Sequence, residues 1–322
     1  MAIEKVMILG NWELCLTITA ALLTSKSQPT ASQCHVTVLT CPSQTLYLPS
    51  HISSSDVVHK KSDFSTASLL EVFAGHDLIV NTMSSGDSEL QIRIIDAAVI
   101  AGVKRFIPNE FGYDTLNKGI QNRIPKYAGR AKVIHKLQRM SSFDPDIEWT
   151  AIATGYTLDT NLINGNMGLD MEWHSATIHG SGTEMFPASS LERVGSVVAR
   201  TIDQWDDIKN QYIYAAGVIT SANEVLISAE KATGRSFTVG NYNVEESILE
   251  GQKRIEQGYL DSGIFLLERS ILYDEEIDGS APFRTRNMNK NLGLPSESVE
   301  TIVEKAYHDL KHRGKSGCTC SA

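Results

Sequence analysis

Short apolar runs alternate with amphipathic stretches through the first third of the chain. Lys5–Leu9 is apolar and ends at Gly10, residues 34–40 are β-branched and close at Cys41-Pro42, and residues 57–60, 78–82 and 103–107 continue the series. Between them, residues 17–23 read as a helix rich in Ala, Leu and Thr, and residues 91–101 carry apolar side chains at helical spacing. Such alternation predicts βαβ units and a mostly parallel sheet. Right-handed crossovers then give an α/β fold, a Rossmann-like doubly wound parallel sheet, whose ligands bind beyond the carboxyl ends of the strands. Those ends fall at Gly10, Cys41, Ser84-Ser85 and residues 108–112.

Farther along, residues 130–140 predict a helix and 149–153 a strand that ends in Thr154-Gly155-Tyr156. From Asn161 the pattern breaks into Gly- and Asn-rich loops, and helical spacing resumes at 194–203, 222–233, 244–257 and 296–310. This divides the chain into a Rossmann-like domain over 1–160, a smaller, discontinuous α+β substrate-capping region over 161–310, and a flexible tail over 311–322.

The first turn after the first strand is where a dinucleotide's pyrophosphate would lie. It needs glycines for the tight turn, for bare backbone beside the phosphates, and for close packing of helix on strand. Here it reads Gly10-Asn11-Trp12-Glu13-Leu14-Cys15-Leu16. Gly10 alone keeps the GxxGxxG spacing, with Glu13 and Leu16 at the other two positions. A carboxylate at a helix N-terminus stabilises the helix but repels a diphosphate. After the second strand, Thr40-Cys41-Pro42-Ser43 offers neither the acid that marks NAD nor the base that marks NADP. Lys60 and Lys61 on the next strand either reach in to supply that base or form a solvated pair, the second being favoured. If a dinucleotide binds at all, Gly10, Asn11, Trp12, Cys41, Ser84 and Ser85 are the residues placed to meet it.

Composition narrows the partners. A formal net charge of −9 argues against broad capture of nucleic acid or anionic membrane. No run is long and apolar enough to span a bilayer, and the N-terminus lacks a signal-peptide pattern, so a cytoplasmic enzyme is expected. The five cysteines form no paired zinc motif, and no HExxH-type spacing of ligands occurs, so no metal is expected. Thr319 stands where C-terminal prenylation would need cysteine.

The run Lys104-Arg105-Phe106-Ile107-Pro108-Asn109-Glu110-Phe111-Gly112, preceded by Asp96-Ala97-Ala98-Val99-Ile100-Ala101-Gly102-Val103, resembles the NmrA-like family. Within that family it looks like the isoflavone reductase and phenylcoumaran benzylic ether reductase branch, with the texture of fungal members. The likeness is strongest over 78–159, including Ala153-Thr154-Gly155-Tyr156 and Asp159. The resemblance implies an NADP(H) cofactor and a lysine acid/base on the helix after this run, which falls on Lys132 in Ala131-Lys132-Val133. From the residues alone, Lys132 is either a proton-transfer group with a lowered pKa in a semi-apolar cleft or a solvated helix lysine.

Gly112, Tyr113, Tyr156 and Asp159 are expected to border a hydrophobic small-molecule substrate, Tyr156 otherwise being an ordinary packed aromatic. His135, three residues from Lys132, shares its helical face and either touches substrate or is solvated. His174 and His179 are further pocket candidates, and Glu110 reads as a brace for the strand end. Three functions are weighed. The favoured one is a secondary-metabolism enzyme carrying out a non-redox isomerisation, cyclisation or rearrangement, with NADP(H) binding weakened or lost. The second is an NADPH-dependent reductase of an aromatic or alkaloid-like molecule, and the third a nucleotide-sensing regulator. A monomer or homodimer is expected.

Overall fold

The computed structural model describes residues 3–25, 34–50, 52–83 and 88–312. Ser84 and Ser85 therefore lie outside the described residues, as does all but the start of the tail. The elements in order are β1 (Lys5–Leu9), α1 (Glu13–Ser25), β2 (His35–Thr40), β3 (Val57–Lys61), α2 (Thr66–Phe73), β4 (Leu78–Asn81), α3 (Ser88–Ile100) and β5 (Arg105–Ile107). Then follow α4 (Lys118–Arg123), α5 (Pro125–Phe143), β6 (Glu148–Ala153), β7 (Tyr156–Thr157), α6 (Leu158–Ile163), β8 (Leu169–Asp170), β9 (Ser175–His179) and β10 (Phe186–Ser189). The chain continues through α7 (Leu191–Asp203), α8 (Trp205–Ile208), β11 (Gln211–Tyr214), β12 (Val218–Thr220), α9 (Ala222–Thr233) and β13 (Thr238–Tyr242). Four helices close it: α10 (Val244–Glu256), α11 (Leu260–Ile271), α12 (Ala281–Thr285) and α13 (Val299–His312).

A seven-stranded sheet orders these as β11-β6-β5-β4-β1-β2-β3, with parallel pairing from β3 across to β6. The strand order reverses between β1 and β4, which is the switch point of a doubly wound fold. Strands β1, β2 and β4 are buried on both faces almost throughout, whereas edge strand β3 is mostly exposed. This is why the inner strands read as continuous apolar runs and not as alternation. Helix α1 turns Cys15, Ile18, Thr19 and Leu22 inward, at the spacing that one helical face requires.

The chain forms two compact units. The first comprises Met1–Phe111, Lys126–Ile152 and Glu192–Ile213, and the second Gly112–Pro125, Ala153–Leu191 and Tyr214–Ala322. In the second unit, two three-stranded sheets order as β12-β10-β7 and β13-β9-β8.

Several elements differ from their sequence reading. Helix α1 begins at Glu13 and not at 17, since an acidic residue suits a first turn. The expected loops after Asn161 hold β8, β9 and β10, whose segments such as Ser-Ala-Thr-Ile-His carry too few apolar residues to announce a strand. Strand β11, Gln-Tyr-Ile-Tyr, was also not anticipated, being only four residues long.

Gly195 on α7 packs against α1 so closely that a Cβ would sit 2.9 Å from the Thr17 carbonyl oxygen. Alanine favours a helix over glycine by roughly 1 kcal/mol, but here it would force two helices apart. Gly195→Ala is expected to lower stability by about 1–3 kcal/mol, read as a fall in the urea midpoint; a rise would show that the helices separate freely.

Candidate functional site

The switch point is built by Gly10 and Thr82. Gly10 has φ +136° and donates its N–H to the Leu39 carbonyl at 3.0 Å. A Cβ at this position would overlap Thr82 Oγ1, which donates to the Leu9 carbonyl at 2.7 Å. The end of β1 is thus bare backbone held against the end of β4. Asn109 ties the next loop in, donating through Nδ2 to the Met83 carbonyl at 2.5 Å. Glu110 is buried and accepts from the Tyr212 hydroxyl at 3.2 Å, the bracing role expected of it.

Of the first-turn residues, Trp12 and Glu13 are exposed to solvent. Trp12 is 65% exposed, Glu13 opens α1 from an exposed position, and Asn11 donates to the Thr45 carbonyl at 3.1 Å. Cys41 is half-buried, and its N–H is taken by Gln44 Oε1 at 3.1 Å. Lys61 is solvated, yet its ammonium reaches the loop after β2 and donates to the Pro42 carbonyl at 3.0 Å. Beside it the His59 ring meets Thr40 Oγ1 at 2.8 Å. Burial and the Lys61 charge both lower the His59 pKa. The reach of Lys61 from the neighbouring strand is the less favoured alternative for that pair, whereas the His59 contact had no sign in the sequence.

Helix α5 buries Ala131, Val133, Ile134 and Leu137 and leaves Lys132 and His135 exposed, three residues apart. Its other cations are differently placed. Lys136 pairs with Asp96 at 2.7 Å, and Lys126 and Arg130 lie over the Tyr127 ring. Lys132 has no hydrogen bond or ion pair among the described residues.

In the second unit the Gly112 carbonyl accepts the N–H groups of Thr154 and Gly155, at 3.1 and 2.9 Å. This brings Tyr113 and Tyr156 together with ring centroids 6.1 Å apart, and Phe186 meets Tyr156 edge-on at 6.2 Å. Gly155, at φ +76°, has Pro187 where a Cβ would stand. Tyr156 is buried, which pushes its hydroxyl well above the usual phenol range, with Glu268 adding to the effect. A cavity of about 230 Å³ opens beside this cluster, lined by Tyr113, Met185, Phe186 and Leu272 together with Glu184 and Arg284. Gly112, Tyr113 and Tyr156 thus sit together, and of them Tyr113 faces the cavity.

Asp159 is differently engaged. Its two oxygens accept from Leu191 N at 3.1 and 2.9 Å, at the start of α7, and Oδ1 also accepts from Thr160 N at 2.8 Å. Glu297 binds the preceding residue, accepting from the Ser190 hydroxyl at 2.6 Å and from Ser190 N at 3.1 Å. Two carboxylates therefore serve one helix start. No group of three or more metal-ligating side chains occurs among the described residues, and none of their helices is long and apolar enough to cross a membrane.

The model of the NmrA-like family matches residues 23–260. The chain belongs to the NmrA-like family. Relatives of this NmrA-like chain include "Oxidoreductase aprR" of Aspergillus flavus, 30% identical over 83% of this chain and 88% of that one. "Oxidoreductase poxI" of Penicillium oxalicum is 28% identical over 76% and 79%. Maize "Isoflavone reductase homolog IRL" is 26% identical over 74% and 76%. Among solved structures, an isoflavone reductase superposes with TM-score 0.70 at 16% identity, covering 94% of this chain and 99% of that one. A leucoanthocyanidin reductase–NADPH complex from Vitis vinifera superposes with TM-score 0.70 at 15% identity, covering 95% and 100%. The NmrA-like chain thus has the Rossmann-like fold of the isoflavone reductase branch.

Burial raises the Asp159 pKa to about 6 and the Glu297 charge adds to it, against the opposing bonds from Leu191 and Thr160. An acid whose folded pKa is raised contributes stability below its unfolded pKa, near 4, and loses it as pH climbs through 6. Asp159→Asn keeps an acceptor and removes the charge. The variant is expected to lack up to about 3 kcal/mol of the decline in stability between pH 4 and 7, measured by urea unfolding across that range. An unchanged pH profile would contradict this assignment.

Proposed function

We propose that the chain is an enzyme acting on a hydrophobic small molecule by proton transfer without net redox change, with Lys132 as acid/base. The observation that carries this reading is Glu13 at the first turn of α1. Gly10 supplies the bare backbone that a dinucleotide's first turn needs, but Glu13 puts a carboxylate where the pyrophosphate's charge would fall, and Leu16 fills the third glycine position. These residues do not fit a tightly bound pyrophosphate. Among the described residues the Lys132 ammonium has no partner, while the neighbouring Lys136 is drawn into an ion pair.

Tyr113, Tyr156 and Phe186 gather aromatic surface within the second unit, beside a cavity that also carries Glu184, Asp274, Glu275, Asp278 and Arg284. Holding a flexible molecule in a reactive shape lowers the barrier through positioning. Lys132 Nζ delivers or removes the proton that the rearrangement requires. Fold alone does not choose among chemistries, so the weight rests on these residues.

NADPH-dependent reduction is the second reading. Lys61 favours it, since its ammonium supplies positive charge at the loop after β2, where a 2′-phosphate would need it. The names of the fungal relatives point the same way.

Lys132→Ala is expected to cut turnover of the true substrate by about 100-fold or more with KM little changed, measured by product formation at saturating substrate. Unchanged turnover would remove Lys132 from the reaction. Reversing the lesion gives an independent check: Glu13→Gly with Leu16→Gly is expected to tighten NADPH binding by about tenfold, read from nicotinamide fluorescence. Equal affinity before and after would show that Glu13 is not what opposes the pyrophosphate.

A further inference from the structure

Strand β9 ends at His179, and helix α11 carries Arg269 just before Tyr273. The second unit folds these three side chains together. His179 is 3% exposed and Tyr273 5%, with their rings 5.2 Å apart and close to perpendicular. Among the described residues the His179 ring nitrogens, the Tyr273 hydroxyl and the buried Nε of Arg269 have no hydrogen-bond partner of good geometry, although the Asn243 backbone acts on the His179 ring and the His179 backbone on the Tyr273 hydroxyl. Among the described residues no carboxylate pairs with the Arg269 guanidinium.

The charges that reach this cluster do not neutralise it. Burial depresses the Arg269 pKa, Tyr273 and Tyr156 oppose that, and the nearby Arg254 reinforces it. The Glu184 charge raises the Tyr273 pKa. One Glu184 oxygen accepts from Ser181 N and from Ser181 Oγ, each at 3.0 Å, and the other is buried without a partner. Arg269 Nη1 also lies against bare backbone: a Cβ on Gly168 would stand 3.0 Å from it.

Unmade hydrogen bonds in a folded interior are normally filled by protein or by water. Water would satisfy the hydroxyl and the imidazole, but it would not neutralise a half-buried guanidinium, whose desolvation is costly without a counter-charge. A guanidinium offers donors only, a phenol offers one, and a neutral imidazole offers one. The missing partner is therefore an acceptor with negative charge. Arginine's planar fork matches a carboxylate best. The surroundings are apolar: Leu267, Ile271 and Leu272 are buried along the same segment, and the Tyr242 ring lies 6.2 Å from His179.

We propose that Arg269, Tyr273 and His179 form a binding site for the carboxylate of an apolar organic acid. Arg269 takes the carboxylate, Tyr273 donates a second hydrogen bond, and His179 donates through one ring nitrogen. The site lies wholly within the second unit and stands whether or not Lys132 transfers a proton or a dinucleotide binds.

The test uses the full chain and two probes of one shape, 3-phenylpropionate and 3-phenylpropanol, followed by calorimetry and thermal shift at pH 7. The acid is expected to bind saturably in the millimolar range or tighter and to raise Tm, whereas the alcohol binds at least tenfold more weakly. Arg269→Met is expected to abolish acid binding and to melt, without ligand, no lower than the parent, because it deletes a half-buried cation that no carboxylate pairs with among the described residues. Tyr273→Phe keeps the fold and weakens acid binding several-fold. Equal binding of acid and alcohol, no saturable acid binding, or acid binding that survives Arg269→Met would each overturn the site and leave the cluster to structural water.

Discussion

A parallel sheet buried on both faces leaves its backbone and side chains nowhere to act except at the strand ends. Strands β1, β2 and β4 meet that condition almost completely, while the edge strand β3 shows most of its side chains to water. Helices must then cover the sheet, crossovers must be right-handed, and loops must gather at the carboxyl ends. The same constraint puts Gly10 and Thr82 side by side where the strand order reverses. Backbone accuracy at that point comes from the buried strands beneath it. The chemistry available there comes from what the loops add.

What the loops add is unusual for this fold. The contact of Gly10 with Thr82 sets the shape at the end of β1, while the exposed Glu13 and Trp12 set charge and bulk in the turn that follows. Shape and charge have thus been separated: one is fixed by packing the fold cannot forgo, the other lies on exposed side chains that cost little stability to change. Lys61 reaches the loop after β2 from the exposed edge strand, where a charge is cheaply placed. The chain shares its scaffold with the isoflavone reductase branch.

The sheet was legible because a strand buried on both faces must be apolar along its length, as in Lys5–Leu9 and Leu78–Asn81. The strands of the second unit were not. Phe186-Pro187-Ala188-Ser189 and Ser175–His179 are buried through neighbours distant in sequence, and short polar residues there carry no period. Gly10, Gly112, Tyr113 and Tyr156 could be named from motif and resemblance, since each sits at a strand end. The engagement of Asp159 with the start of α7 could not, because Leu191 lies 32 residues away. The same holds for Arg269 and Tyr273, whose meeting with His179 is set by tertiary packing.

The claim that proton transfer without redox change is the chemistry stands or falls on mass balance. The direct measurement is high-resolution mass spectrometry of product against substrate, with the purified chain and no added nicotinamide. A product of the same elemental composition as its substrate is expected. A product heavier by two hydrogens, formed only when NADPH is supplied, would contradict it and make this chain a reductase.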